Sequence, residues 1–280
     1  MTFRIGPRTT QIIAYVGLLI CTIFVISILL FIILFVFKNG INSITWEFLT
    51  HPTEAMGREG GIFPSIIGTL FLTLVAIIIA TPLGVGSALY LTEYTKGGWI
   101  RRIISFGADC LAGVPSIIFG LFGFIFFVIT LKLGWSILSG GFTLAVMILP
   151  TIIRTSEEAI KAVPRAYREI SYSLGVGKID TIIKIILPTA FPGIATGIVL
   201  GIGRAVSETA AVIFTAGSSL NMPTDLFSST RTLAVHFYIL AREGISMPKA
   251  YGTATVLIIT ILIINFVAYR LMHRFIARYY

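Results

Sequence analysis

Charged side chains are scarce in this chain. Only 12% of its 280 residues are Asp, Glu, Lys or Arg, whereas 56% are hydrophobic. A soluble globular domain carries about 25% charged residues, so the deficit excludes an ordinary water-exposed globule and assigns the chain to a bilayer. Cysteine is scarcer still. Cys21 and Cys110 both fall in apolar stretches, which leaves no disulfide framework and no metal-ligand spacing. His51, His236 and His273 are scattered in the same way. No run of segments alternates with period two, which disfavours a β-barrel. A Gly-x4-Gly-Lys-Ser/Thr phosphate loop is missing, so the chain is not expected to bind ATP or any other cofactor itself. Gly84-Val-Gly86 fails the dinucleotide fingerprint and reads as a packing or kink element.

Long apolar runs are what the chain has in quantity. Six emerge, near 11–37, 62–91, 104–131, 136–153, 189–216 and 250–271. Crossing a ~30 Å hydrocarbon core takes ~20 helical residues, so each run is close to a span, the fourth being the shortest. The expectation is a single all-α membrane domain of six transmembrane helices over residues 1–280. The first run is too long for a cleavable signal, whose apolar region is roughly 7–15 residues, and is read as a retained span.

The net charge of +9 is informative through its distribution and is not read as a nucleic-acid footprint. With both termini in the cytoplasm, fourteen of the Lys and Arg residues lie inside: Arg4, Arg8, Lys96, Arg101, Arg102, the six between Arg154 and Lys184, and Arg270, Arg274 and Arg278. Six lie outside: Lys38, Arg58, Lys132, Arg231, Arg242 and Lys249. Cytoplasmic loops carry the excess of Lys and Arg, so this orientation is favoured. Arg231 and Arg242 are read as an ordinary solvated loop, and His236 as a weak candidate for pH sensitivity at the outer mouth. Trp46, Trp99 and Trp135 fall at span ends, as interfacial anchors do.

The polar segment 154–188 is then cytoplasmic. Between Arg154 and Lys184 it holds ten charges, and its middle, from Ala166 to Leu174, is free of Gly and Pro and suits a short helix. Gly175 and Gly177 are expected to end it in a left-handed turn. Such a helix serves equally as a rigid knob for a soluble partner or as an amphipathic element on the lipid surface.

Here the residues resemble a family. Glu169, Gly175, Ile185, Leu187 and Pro188 fit the spacing Glu-Ala-Ala-x3-Gly-x9-Ile-x-Leu-Pro, with Ile170 and Ser171 at the two alanine positions. That spacing is similar to the cytoplasmic-loop motif of ABC importer permeases. The resemblance implies the type I importer permease fold and a coupling helix that docks in a cleft of an ATPase subunit. By it, Glu169, Ser171, Leu174, Gly175, Gly177, Leu187 and Pro188 are the coupling residues.

The fifth run holds two charges, Arg204 and Glu208. An Arg at the centre of a span costs about 2.5–3.5 kcal/mol on insertion scales, and a spacing of four allows the two to pair on one face of a continuous helix. Gly193, Gly197 and Gly201 share that face, and small residues at every fourth position permit close packing in lipid. The pair is therefore expected to face other helices or a water-filled path. A pair that merely fixes packing is the bland reading, and an anion-attracting site the functional one. Asp109, early in the third run, reads as a helix cap. Gly113 and Pro115 mark a possible helix break, and Ser116 beyond them is a possible anion donor.

Two stretches, Gly113-Val-Pro-Ser-Ile-Ile-Phe-Gly-Leu-Phe-Gly123 and Gly203-Arg-Ala-x-x-Glu-Thr-Ala210, resemble the phosphate branch of the ABC importer permeases. The resemblance implies that Arg204, Glu208, Ser116 and Thr209 lie on a phosphate path. It also implies partners: a sister permease, an ATPase dimer in the cytoplasm that uses ATP and Mg, and an extracytoplasmic phosphate-binding protein, all at the cytoplasmic (inner) membrane of a prokaryote. The alternatives left standing are a permease for another oxyanion such as sulfate, the sister permease subunit itself, a stand-alone secondary transporter, and an intramembrane enzyme using Glu208 and Asp109.

Overall fold

A computed structural model describes residues 7–95 and 98–279, with the side chains of 7, 9, 100, 271, 273 and 275–279 outside the description. Arg4 and Lys96 therefore lie outside the described residues, as do the side chains of His273 and Arg278. Twelve α-helices and one short hairpin occur among the described residues. Helix α1 (Pro7–Gly40) leads to α2 (Trp46–Thr50) and an antiparallel hairpin, β1 (Thr53–Glu54) with β2 (Glu59–Gly60). The second long helix, α3 (Phe63–Leu89), starts on Pro64 and runs on through a wide turn, Tyr90–Tyr94. Then come α4 (Trp99–Ala112), α5 (Ser116–Gly123), extended by Phe124–Thr130, and α6 (Ile137–Ala162). The polar segment forms α7 (Arg165–Ser173) and α8 (Lys178–Thr181), and α8 leads through Ile182–Ile186 into α9 (Leu187–Ser207). The chain ends with α10 (Ala210–Thr215), α11 (Leu233–Arg242) and α12 (Met247–Tyr279).

Five of these helices, or six if the bent pair α4–α5 counts as one span, are long and apolar enough to cross a membrane. The fold class is all-α, as the apolar runs imply. Helix α6 is the axis. Ser136 caps its start by accepting from the Ser139 amide at 3.1 Å. Glycines let its neighbours approach. Gly141 of α6 faces Val75 and Ala76 of α3, and Gly84 of α3 faces Ile152, so those helices run parallel. Gly193, Gly197 and Gly201 of α9 meet Ala159, Thr155 and Ile152, so α9 runs antiparallel to α6. Small residues are what allow backbones to close up where lipid gives no hydrophobic drive. The main apolar cluster, around Leu72, Leu144, Ile148, Ile152, Val212 and Val235, joins α3, α6, α10 and α11. Helix α1 stands apart, touching α12 only near its end, where Phe35 meets the Tyr251 ring edge-on and Gly40 lies against the Tyr251 backbone.

Three boundaries differ from the sequence reading. The run 104–131 is not straight: α4 and α5 meet at 104° because Gly113 and Pro115 interrupt the hydrogen-bond ladder. The run 136–153 continues as helix to Ala162, because Arg154, Glu157 and Lys161 satisfy one another instead of forcing a loop. The run 189–216 starts earlier, through α8, and breaks at Glu208–Thr209. The non-helical part of the polar segment shrinks accordingly to the turns around α7 and α8.

Candidate translocation path and coupling face

The residues expected on the path cluster at the break between α9 and α10. Helix α9 ends at Ser207, and Glu208 adopts an extended backbone, with ψ 134°. Its Oε1 accepts from the amides of Thr209 (3.1 Å) and Ala211 (3.3 Å). It thus satisfies the free N–H groups at the start of α10, as a carboxylate at a helix N-terminus does. The expected Arg204–Glu208 pair does not form, and the reason is this break: the four-residue spacing works only on a continuous helix. Arg204 makes no ion pair among the described residues. At about 100° per residue it lies on the glycine row, about 20° from Gly193 and Gly197, with the exposed row of Thr196, Leu200 and Ser207 about 40–80° away on one side, and it is half-buried.

Ser116 begins α5. Gly120, one turn later, lies against Ala211, and Gly123 against Thr215. The two helices are therefore parallel and in register, which sets Ser116 at the level of Glu208 and Thr209. All four residues are half-buried. Asp109 is not a cap. It pairs with Arg154 of α6, which also donates to the Ser105 carbonyl at 2.9 Å.

The residues expected to couple divide. Helix α7 ends in a Schellman turn, with the Gly175 amide donating to Tyr172 O (3.0 Å) and the Val176 amide to Ser171 O (3.1 Å). Gly175 carries φ +77°, which a side chain tolerates poorly. Gly177 does not share that role: with φ −65° it is the N-cap of α8. Glu169 and Leu174 are exposed, Leu174 at 77%. Ser171 is buried, its hydroxyl 2.7 Å from that of Thr181, so it staples α7 to α8 and presents no exposed surface. Leu187 and Pro188 belong to the first turn of α9, where Leu187 packs against the buried cluster that includes Ile160, Ile186 and Ala190.

Two features were not visible beforehand. Tyr167, Ile170 and Leu174 form one exposed apolar stripe on α7, at the helical spacing of three and four. The other is a clamp: Arg168 holds Glu93, at the end of α3, through Nη2 (2.6 Å) and Nε (3.1 Å), and also donates to the carbonyls of Val163 and Ile160. A lone acid at the end of the second run, opposite a cation-rich segment, was the available signal.

On the opposite end of the bundle, Arg231 is buried and donates from Nε to Ser218 O at 3.1 Å, which corrects its reading as a solvated loop residue. His236 is buried too. Burial first, then the charges of Arg231 and Lys249, hold its pKa down to about 3, so it does not titrate near neutral pH. Among the described residues no group of His, Cys, Asp or Glu converges to hold a metal.

Residues 80–279 match the profile of the binding-protein-dependent transport system inner membrane component. The chain belongs to that family. It is 31% identical to the probable ABC transporter permease protein YqgI of Bacillus subtilis (strain 168), over 89% of this chain and 90% of that one. It is 38% identical to the phosphate transport system permease protein PstA 1 of Mycobacterium tuberculosis (strain CDC 1551 / Oshkosh), over 78% and 72%. In fold it resembles a chain of the bacterial alginate ABC transporter, with a TM-score of 0.65 and 16% identity over 96% of both chains. A chain of the MetNI methionine ABC transporter gives a TM-score of 0.63 at 19% identity. This family member is thus a multi-pass permease subunit of an ABC importer, with the type I permease fold and the resemblance to PstA-type permeases that its motifs carry.

Proposed function

We propose that this subunit forms, with a sister permease, the path by which inorganic phosphate enters the cytoplasm, in the inner membrane of a prokaryote with both termini inside. Arg204 carries this reading. It is a guanidinium within the α9 span, without a carboxylate partner among the described residues, on the glycine row beside the exposed helical face, and level with a break between helices. Half-buried charge inside a span marks an ion pathway, and the planar fork of Arg suits a tetrahedral oxyanion. Glu208, turned away to cap α10, leaves that fork free while keeping a negative charge nearby that limits how tightly an anion is held. Relatives described as phosphate transport permeases supply the substrate.

On the α7 side, an ATPase dimer grips the Tyr167–Ile170–Leu174 stripe, with Glu169 beside it. Closure of that dimer on ATP and Mg moves α7, and the Arg168–Glu93 clamp passes the motion to α3. An extracytoplasmic phosphate-binding protein delivers the anion at the other end. The test is uptake of labelled phosphate by cells carrying Arg204→Ala. Uptake should be lost while the complex with its ATPase still assembles, and excess unlabelled sulfate should not compete in the wild type. Normal uptake by the variant, or full competition by sulfate, overturns the reading.

A further inference from the structure

We propose that α4 lies flat in the headgroup layer of the leaflet on the α7 side, and that the basic pocket beside it holds the phosphate of an anionic phospholipid. Helix α4 meets α5 at 104°, so it runs across the bundle where α5 runs along it. At about 100° per residue, Trp99, Ile103, Phe106 and Cys110 share one stripe, and all four are exposed in this chain, Trp99 at 75% and Phe106 at 69%. The opposite face is bound to the protein: Ala108 is buried, the Ser105 carbonyl accepts from Arg154, and Arg101 reaches Glu157 at 3.4 Å. An apolar stripe with basic flanks and a terminal Trp is the pattern of a helix lying in the membrane interface.

Next to the start of α4 opens a cleft lined by Thr92, Arg101, Lys161, Arg165, Arg168 and Tyr172, among others. Its charges do not balance locally. Glu93 is committed to Arg168. Glu157 and Asp109 serve three cations, Arg101, Arg154 and Lys161. Arg165 in the cleft and Arg102 on the flank of α4 make no ion pair among the described residues, and only Glu169 on the rim stands against them. A free phosphate ion would answer the charge but leave the apolar stripe in water. A protein partner over the stripe would not need the cations. A phospholipid answers both, with its headgroup at the cleft and its chains under the stripe.

The test uses Trp99 fluorescence in lipid nanodiscs, taking as signal the part lost in Trp99→Phe. Brominated phosphatidylglycerol in a phosphatidylcholine disc should quench Trp99 more than brominated phosphatidylcholine does at the same mole fraction. Each Lys or Arg near an anionic surface adds about fivefold in affinity, so Arg102→Ala with Arg165→Ala should erase most of that preference. Arg102→Lys with Arg165→Lys should keep it; both positions carry no ion pair, so folding should survive. Equal quenching by the two lipids overturns the proposal, as does a preference unchanged in the double alanine variant. Loss of the preference on adding inorganic phosphate marks a soluble-anion site instead, and shielding of Trp99 from both lipids in the assembled permease marks a protein interface.

Discussion

Arg168 and Glu93 lie 75 positions apart in sequence and 2.6 Å apart in space, both largely shielded from water. This contact joins the exposed helix α7 to the end of the span α3. It ties the polar connection to the bundle at one fixed point.

Removing one partner of such a pair leaves an uncompensated charge, at a cost of about 3–5 kcal/mol where burial is complete and less here. Arg168→Ala is therefore expected to lower the thermal midpoint of the purified subunit clearly. Arg168→Met with Glu93→Leu should recover much of the midpoint yet remain poor in ATP-driven uptake. Thermal unfolding in detergent and vesicle uptake separate the two effects, and a double variant with full transport would show that the tie is unnecessary.

Glu208 caps α10 with one carboxylate oxygen. Loss of a cap costs about 1 kcal/mol, so Glu208→Ala should destabilise by that order, while Glu208→Gln keeps an acceptor and most of the stability. If the negative charge also weakens anion binding beside Arg204, Glu208→Gln should lower the apparent KM for phosphate. Uptake kinetics over a range of substrate concentrations decide this.

Gly175 and Gly177 should respond differently to alanine. A left-handed backbone costs a non-glycine residue about 1–2 kcal/mol, and Gly175 has φ +77° whereas Gly177 has φ −65° with open space at its Cβ. Gly175→Ala should loosen the end of α7, read as faster amide exchange at Val176, and Gly177→Ala should not.

His236 makes stability depend on acid. Its folded pKa of about 3 lies below the ordinary 6.5, so the unfolded chain takes up a proton first as pH falls. Stability is fully present above about pH 6.5 and declines towards pH 3, by about 2 kcal/mol between about pH 6.5 and 5. Unfolding midpoints across that range should fall for the wild type and stay flatter for His236→Leu.

Much of the bundle was legible because apolar run length and small-residue spacing act locally along a helix. The glycine row of α9 was foreseen as a packing face, and it meets α6. A left-handed glycine turn at the end of α7 was foreseen, for Gly175 and Gly177 together, because a glycine closing a short polar helix has few other uses; only the fold assigned it to Gly175. The burial of Ser171 was not legible, because only the fold brings Thr181 opposite it. Arg204 and Glu208 were misread as a pair because spacing assumes the helix continues, and nothing in residues 204–210 announces the break.

The sequence by itself determined that the chain dissolves in a bilayer and which end of the bundle carries the cations, since both follow from side-chain transfer energies summed along the chain. Only the tertiary structure decided which charges meet. Arg154 goes to Asp109, Arg168 to Glu93, and Arg204 to no partner among the described residues, because an ion pair is chosen by distance across helices, and that distance is set by how the helices pack and where they break.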